Sequence, residues 1–163
     1  MAGRADDTTK VERTSDREMT VTRRFNAPAR IVFAAWSRPE LFQRWWAPRS
    51  SGVPLLSCEM DVRTGGSYRL VFGRDAAQSM AFFGRYIEVT PPARIVWTNE
   101  ESAEGAVTTV TFTEQDGQTL LVLREAYPSK EALDLSIEGM EGGMPEQFAQ
   151  LDELLEALGG KLE

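Results

Sequence analysis

The sequence predicts an α+β fold: a curved antiparallel sheet of about seven strands, two short helices after the first strand, and a long C-terminal helix across the sheet. Two observations carry this. From Leu133 to Leu158 the apolar residues Leu133, Ile137, Met140, Met144, Phe148, Leu151, Leu155 and Leu158 recur at steps of three and four, the period of a helix with one buried face. Between Val53 and Tyr127, short apolar runs are instead separated by turn residues, as strands are. A helix with that much apolar surface must cover something, and the sheet is the large partner available. A long helix gripping a curved sheet often encloses a pocket, so a small apolar ligand is the first expectation.

The elements follow in chain order. Residues Met1 to Asp16 mix both charges without apolar periodicity and read as a disordered arm. The first strand covers Arg17 to Phe25, where Met19, Val21 and Arg23 alternate with Thr20, Thr22 and Arg24. Asn26-Ala27-Pro28 stops it and starts a helix with Ile31, Val32, Ala35 and Trp36 inward. Ser37-Arg38-Pro39 opens a second short helix with Leu41, Phe42, Trp45 and Trp46 on one face, and Pro48 ends it. Strands are expected at Val53–Val62, Ser67–Phe72, Met80–Val89, Arg94–Thr98, Val107–Thr113 and Thr119–Ala126. Asp116-Gly117 is the strongest hairpin signal among their turns. Alternation puts Leu56, Cys58, Met60 and Val62 on one face, and a bulge is expected near Gly84. Pro145 after Gly142-Gly143 predicts a kink or break in the last helix, and residues 159–163 form a tail. One domain, residues 17–158, accounts for the rest.

Composition bounds the function. At 163 residues, about 70% of the unfolded chain's surface can be buried. The net charge of -7 and the lack of a basic patch argue against nucleic acid. No apolar run reaches the roughly 20 residues that span a bilayer, and the N-terminus is no secretory signal, so neither a membrane partner nor export is expected. The single cysteine, Cys58, cannot form an internal disulfide and suits a reducing cytoplasm. With no histidine, histidine-dependent triads and histidine–zinc sites are excluded. No metal and no cofactor are expected.

Several segments together resemble a known family. They are Arg24-Phe25-Asn26-Ala27-Pro28, Arg38-Pro39-Glu40-Leu41 leading to Arg44-Trp45-Trp46-Ala47-Pro48, and Cys58-Glu59-Met60-Asp61-Val62-Arg63 with Gly65-Gly66. Gly84-Arg85-Tyr86-Ile87-Glu88-Val89, Pro91-Pro92-Ala93-Arg94-Ile95-Val96, Tyr127-Pro128-Ser129-Lys130-Glu131 and Gly139-Met140-Glu141-Gly142-Gly143-Met144 complete the pattern. On these the chain resembles the START-like (helix-grip, Bet v1-type) superfamily, and within it the bacterial family similar to the C-terminal domain of the activator of Hsp90 ATPase. The resemblance implies a helix-grip fold, permits a homodimer, and brings an Hsp90-type chaperone into view as a partner. It names no catalytic residue. The Hsp90 activator has a further N-terminal domain, for which the short segment before the first strand leaves no room.

The expected ligand-binding residues lie between sheet and long helix: Trp45, Trp46, Met60, Tyr68, Phe72, Trp97, Phe112, Met140, Met144 and Phe148. Aromatic and apolar walls with a few polar groups are the usual lining of a small-molecule site, and the same residues equally suit a filled core. Polar candidates nearby are Tyr68, Arg69, Arg85, Tyr86 and Glu125, with the arginines free to face inward toward an anion or outward toward Glu88 or Glu59. No nucleophile–base pair can be named. Three functions remain open: a binder of a small hydrophobic or aromatic molecule, a protein-interaction module of co-chaperone type, and a cyclase- or hydrolase-like enzyme acting on a polyketide-like substrate.

Overall fold

The computed structural model describes residues 9–47, 49–75, 77–100 and 105–158, without the side chains of residues 51 and 138–141. Expectations for residues 1–8, Pro48, the tail 159–163 and the Met140 side chain fall outside the described residues. The elements are β1 (Lys10–Arg13), β2 (Glu18–Phe25), α1 (Ala29–Ser37), α2 (Pro39–Phe42), β3 (Leu55–Met60), β4 (Ser67–Asp75), β5 (Gln78–Thr90), β6 (Arg94–Thr98), β7 (Val107–Gln115), β8 (Gln118–Ala126) and α3 (Lys130–Leu158). One curved antiparallel sheet runs in the order β1-β2-β8-β7-β6-β5-β4-β3, and α3 packs on it. The sheet has eight strands, not about seven.

The additional strand is β1, inside the segment expected to be a disordered arm. Its pairing runs from Lys10 opposite Thr22 to Arg13 opposite Met19. Val11 is its one apolar residue and packs against the core. Arg13 then reaches α3, with its guanidinium 2.6 Å from Asp134.

Period-two burial is cleanest on β2, where Met19, Val21, Arg23 and Phe25 are buried and the residues between are half-buried. Its neighbour β8 buries Thr119, Leu121 and Leu123, with Glu125 next on the same side. The β7–β8 hairpin turns through Asp116 (φ 56°) and Gly117 (φ 79°), the left-handed pair that a two-residue turn needs. The Ala29 amide, orphaned at the start of α1, donates to Glu114 Oε1 at 2.9 Å.

Two irregularities shape the inner face, and the first differs from expectation. A register shift between Leu55 and Ser57 lets Leu55 pack on the core and leaves Leu56 45% exposed, away from Cys58 and Met60. The bulge expected near Gly84 lies in β5 between Tyr86 and Glu88. Phe82 and Tyr86 therefore face in on one side of it, and Val89 on the other. Gly84 has a different role: a Cβ there would lie 2.0 Å from the Thr98 carbonyl oxygen. We expect Gly84→Ala to push β5 from β6 and cost about 1–3 kcal/mol, measurable by chemical denaturation.

Of the kink or break expected in α3, the break does not occur. The helix is continuous from Lys130 to Leu158 with Pro145 inside it. Proline removes one hydrogen bond, but tertiary packing can outweigh that local cost. Leu133, Met144, Phe148, Leu151 and Leu155 are all buried under the helix. Polar clamps follow just after Pro145. Gln147 Nε2 donates to the Trp46 carbonyl, and Gln150 Nε2 donates to the carbonyls of Trp45 and Ala47 at 3.0 Å each. The amides of Arg49 and Ser50 donate to Gln150 Oε1 and Glu146 Oε2 at 2.9 and 2.8 Å. Asp152 forms an ion pair with Arg23 on the inner face of β2.

Candidate functional site: a cavity under the long helix

Toward one end of the sheet the packing between α3 and the strands opens. The cavity there has a volume of about 680 Å³. Trp36 from α1, Phe42 from α2 and Trp46 just after it form one wall. Met60, Tyr68, Leu70, Phe72, Phe82, Tyr86, Ile95 and Trp97 come from the inward positions of β3 to β6. Met144 and Gln147 of α3 close it from above, with Leu135 and Ser136 from the first half of the helix. The indoles lie close together: the Trp36 ring centroid is 5.9 Å from that of Trp46 and 6.0 Å from that of Trp97.

Polar groups gather on one side and are joined in series. The Tyr68 hydroxyl donates to the Thr98 carbonyl at 2.7 Å and lies 3.4 Å from Asn99 Oδ1. Asn99 Nδ2 donates to the Ala106 carbonyl at 2.8 Å and to Thr108 Oγ1 at 3.0 Å. Thr108 donates to Glu125 Oε2 at 2.8 Å, and Tyr127 donates to Glu125 Oε1 at 2.6 Å. Burial, then the charge of Glu125, holds the Tyr127 phenol well above its usual range. Burial, then Cys58 and Asp61, does the same to Tyr86. At neutral pH both phenols are therefore donors, not bases.

Of the ten expected site residues, Trp46, Met60, Tyr68, Phe72, Trp97 and Met144 line the cavity. Trp45, Phe112 and Phe148 do not. Trp45 is fully buried, with its indole N–H donating to the Ala35 carbonyl at 3.0 Å. Phe112 packs edge-on against Phe33. Phe148 packs edge-on against Phe25. The polar candidates Tyr68, Tyr86 and Glu125 face in. Arg69 and Arg85 are exposed, and Arg85 pairs with Glu100 at 2.8 Å, not with Glu88 or Glu59. Glu88 pairs instead with Arg94. Trp36, Asn99 and Tyr127 were not anticipated. The apolar spacing of its helix places Trp36 on the inward side without marking it as part of a site. The step of two from Leu121 and Leu123 to Glu125 was the legible signal for an inward carboxylate.

Cys58 lies beside the cavity wall, with its Sγ 3.4 Å from Met60 Sδ. Burial pushes its thiol up to about 11 from an ordinary 9.0. The folded state therefore holds the proton more tightly than the unfolded chain. The stability this contributes is complete below about pH 9 and is lost as pH rises toward 11. Iodoacetamide at pH 8 should modify Cys58 at roughly one-tenth the rate of a small free thiol or less. A rate equal to the free thiol's would refute this.

A family model for activator of Hsp90 ATPase homolog 1-like proteins matches residues 26–156, a span that includes α1 and α2, the strands β3 to β8 and nearly all of α3. The chain belongs to that family. Solved structures agree with the placement of this AHSA1-like chain. A protein from Rhodobacter sphaeroides is 26% identical, with 92% of this chain and 99% of that one covered at a TM-score of 0.83. A Chromobacterium violaceum protein is 27% identical over 86% and 98% of the two chains, at a TM-score of 0.74. An AHSA1-like protein from Aeromonas hydrophila, 20% identical over 86% and 94%, shares the fold at a TM-score of 0.68. Among curated proteins none matches the chain. Among the described residues of this AHSA1-like domain, no helix is long and apolar enough to cross a membrane, and no cluster of metal-ligating side chains occurs.

Proposed function

We propose that this AHSA1-like protein binds a small hydrophobic or aromatic molecule between its sheet and its C-terminal helix. The observation that carries this is the aromatic-walled space of about 680 Å³, which falls within the roughly 300–1,000 Å³ usual for small-molecule sites. Trp46, Met60, Tyr68, Phe72, Trp97 and Met144 are the contacts in this reading. Flexible methionines and flat indoles suit a ligand of variable shape. Native mass spectrometry of freshly purified protein, repeated after denaturation, tests it. A small molecule lost on denaturation supports the reading. An apo mass, together with no change in tryptophan fluorescence on titration with biphenyl-4-ylmethanol, would refute it.

The convergence of Tyr68, Asn99, Glu125 and Tyr127 favours a second reading, a cyclase-like activity that shapes a flexible substrate. The same experiment separates the two. A binder releases the molecule it took up, whereas an enzyme releases one of altered mass or retention time.

A further inference from the structure

Two glutamines of α3 reach the same loop and are left in different states. Gln150 is saturated: its Nε2 donates to the carbonyls of Trp45 and Ala47, and its Oε1 accepts the Arg49 amide at 2.9 Å. Gln147, nearly one turn earlier, commits its Nε2 to the Trp46 carbonyl, and among the described residues no donor reaches its Oε1. A carbonyl accepts only from the nitrogen end of an amide, so this bond fixes which end of Gln147 is which. The side chain is 9% exposed and lines the cavity beside Trp46 and Met144. Its oxygen is not sealed off. Among the described residues, the buried side-chain atoms without a partner are Arg23 Nε and the Trp36 indole nitrogen, and Gln147 Oε1 does not join them. Open space therefore lies beside that oxygen, and the cavity is the space that Gln147 borders.

An amide oxygen held out of bulk water loses free energy when nothing donates to it. Water fills that role in a free site, and a ligand that displaces the water must replace its hydrogen bond or lose affinity. The surrounding wall suits a flat body, since the Trp46 ring stacks on Phe42 at 4.8 Å and lies 5.9 Å from Trp36. We propose that Gln147 Oε1 is the acceptor that orients the ligand, so that the cavity selects aromatic compounds carrying a hydroxyl or amide N–H over those whose polar atoms only accept. A ligand ether or ketone oxygen brought to the same point sets oxygen against oxygen and leaves both unpaired. This rests on the binding reading above and names the ligand's polar group and the residue that recognises it.

A matched pair tests it by isothermal titration calorimetry: biphenyl-4-ylmethanol and its methyl ether, which keeps the oxygen as an acceptor and loses the donor. On the wild-type protein the alcohol should bind about five-fold tighter than the ether or better. Gln147→Met keeps the side chain's length and removes the acceptor. In that variant the alcohol should fall to within about two-fold of the ether, while the ether stays within about two-fold of its wild-type affinity and so reports an intact cavity. An ether that binds the wild type as tightly as the alcohol, or an alcohol-to-ether ratio that is the same in both proteins, would overturn the role of Gln147 and leave the cavity reading standing. Binding of neither compound would overturn both. If Gln147→Met does not fold, the wild-type order alone decides.

Discussion

Asp152→Ala should remove about 3–5 kcal/mol of folding stability, read as a lower urea midpoint at unchanged slope. Its partner explains the size. Arg23 is an inner-face residue of β2 with a side chain 4% exposed, packed 4.9 Å from the Phe25 ring centroid. Truncating Asp152 leaves that guanidinium charged and dry. A buried pair is not in itself a large gain, because desolvation opposes it. The double variant Arg23→Met, Asp152→Leu should therefore recover most of the loss. A single variant within about 1 kcal/mol of wild type would mean that water reaches Arg23 once Asp152 is gone.

Phe148→Ala should cost about as much, roughly 3–5 kcal/mol, for a different reason. Phe148 is fully buried, with its ring 5.4 Å from Phe25 in an edge arrangement and 6.3 Å from both Trp36 and Trp45. It joins α3 to β2 and to the indole cluster at one point. Truncation leaves a void that neighbours of this rigidity cannot fill. On the same helix, Leu135 is 81% exposed, and Leu135→Ala should change stability by no more than about 0.5 kcal/mol. Thermal unfolding of the two variants side by side measures the contrast, and equal losses would refute it.

Much of this fold was legible because its signals are local. Asp116-Gly117 fixed a hairpin, and the bounds of β6 could be read from Arg94 to Thr98. The stripe from Leu133 to Leu158 located α3. The misses have non-local causes. β1 has one apolar residue, Val11, and owes its form to pairing with β2. The unbroken path of α3 through Pro145 depends on Gln147 and Gln150 reaching the carbonyls of Trp45, Trp46 and Ala47, about a hundred residues away. At the candidate site, Trp45 and Trp46 are adjacent in sequence, and composition cannot tell which becomes core and which becomes wall. Glu125 was legible from alternation. Its hydroxyl partners were not, because Thr108 lies on another strand and Tyr127 beyond the end of β8.

The strand order also sets a schedule for folding. β3 to β8 neighbour one another in chain order, and each can pair as soon as it exists. β2 must wait, because its partner on the sheet's other side is β8, with Phe25 opposite Thr119 and Glu18 opposite Ala126. Closing a loop of that length precedes any return from the contacts it makes, which places folding in the slow, millisecond-to-second class of β-rich chains. Until β8 leaves the ribosome, the Met19, Val21 and Phe25 side chains have no sheet to join. The nascent N-terminal hairpin is thus the part of this molecule that most needs shielding during synthesis.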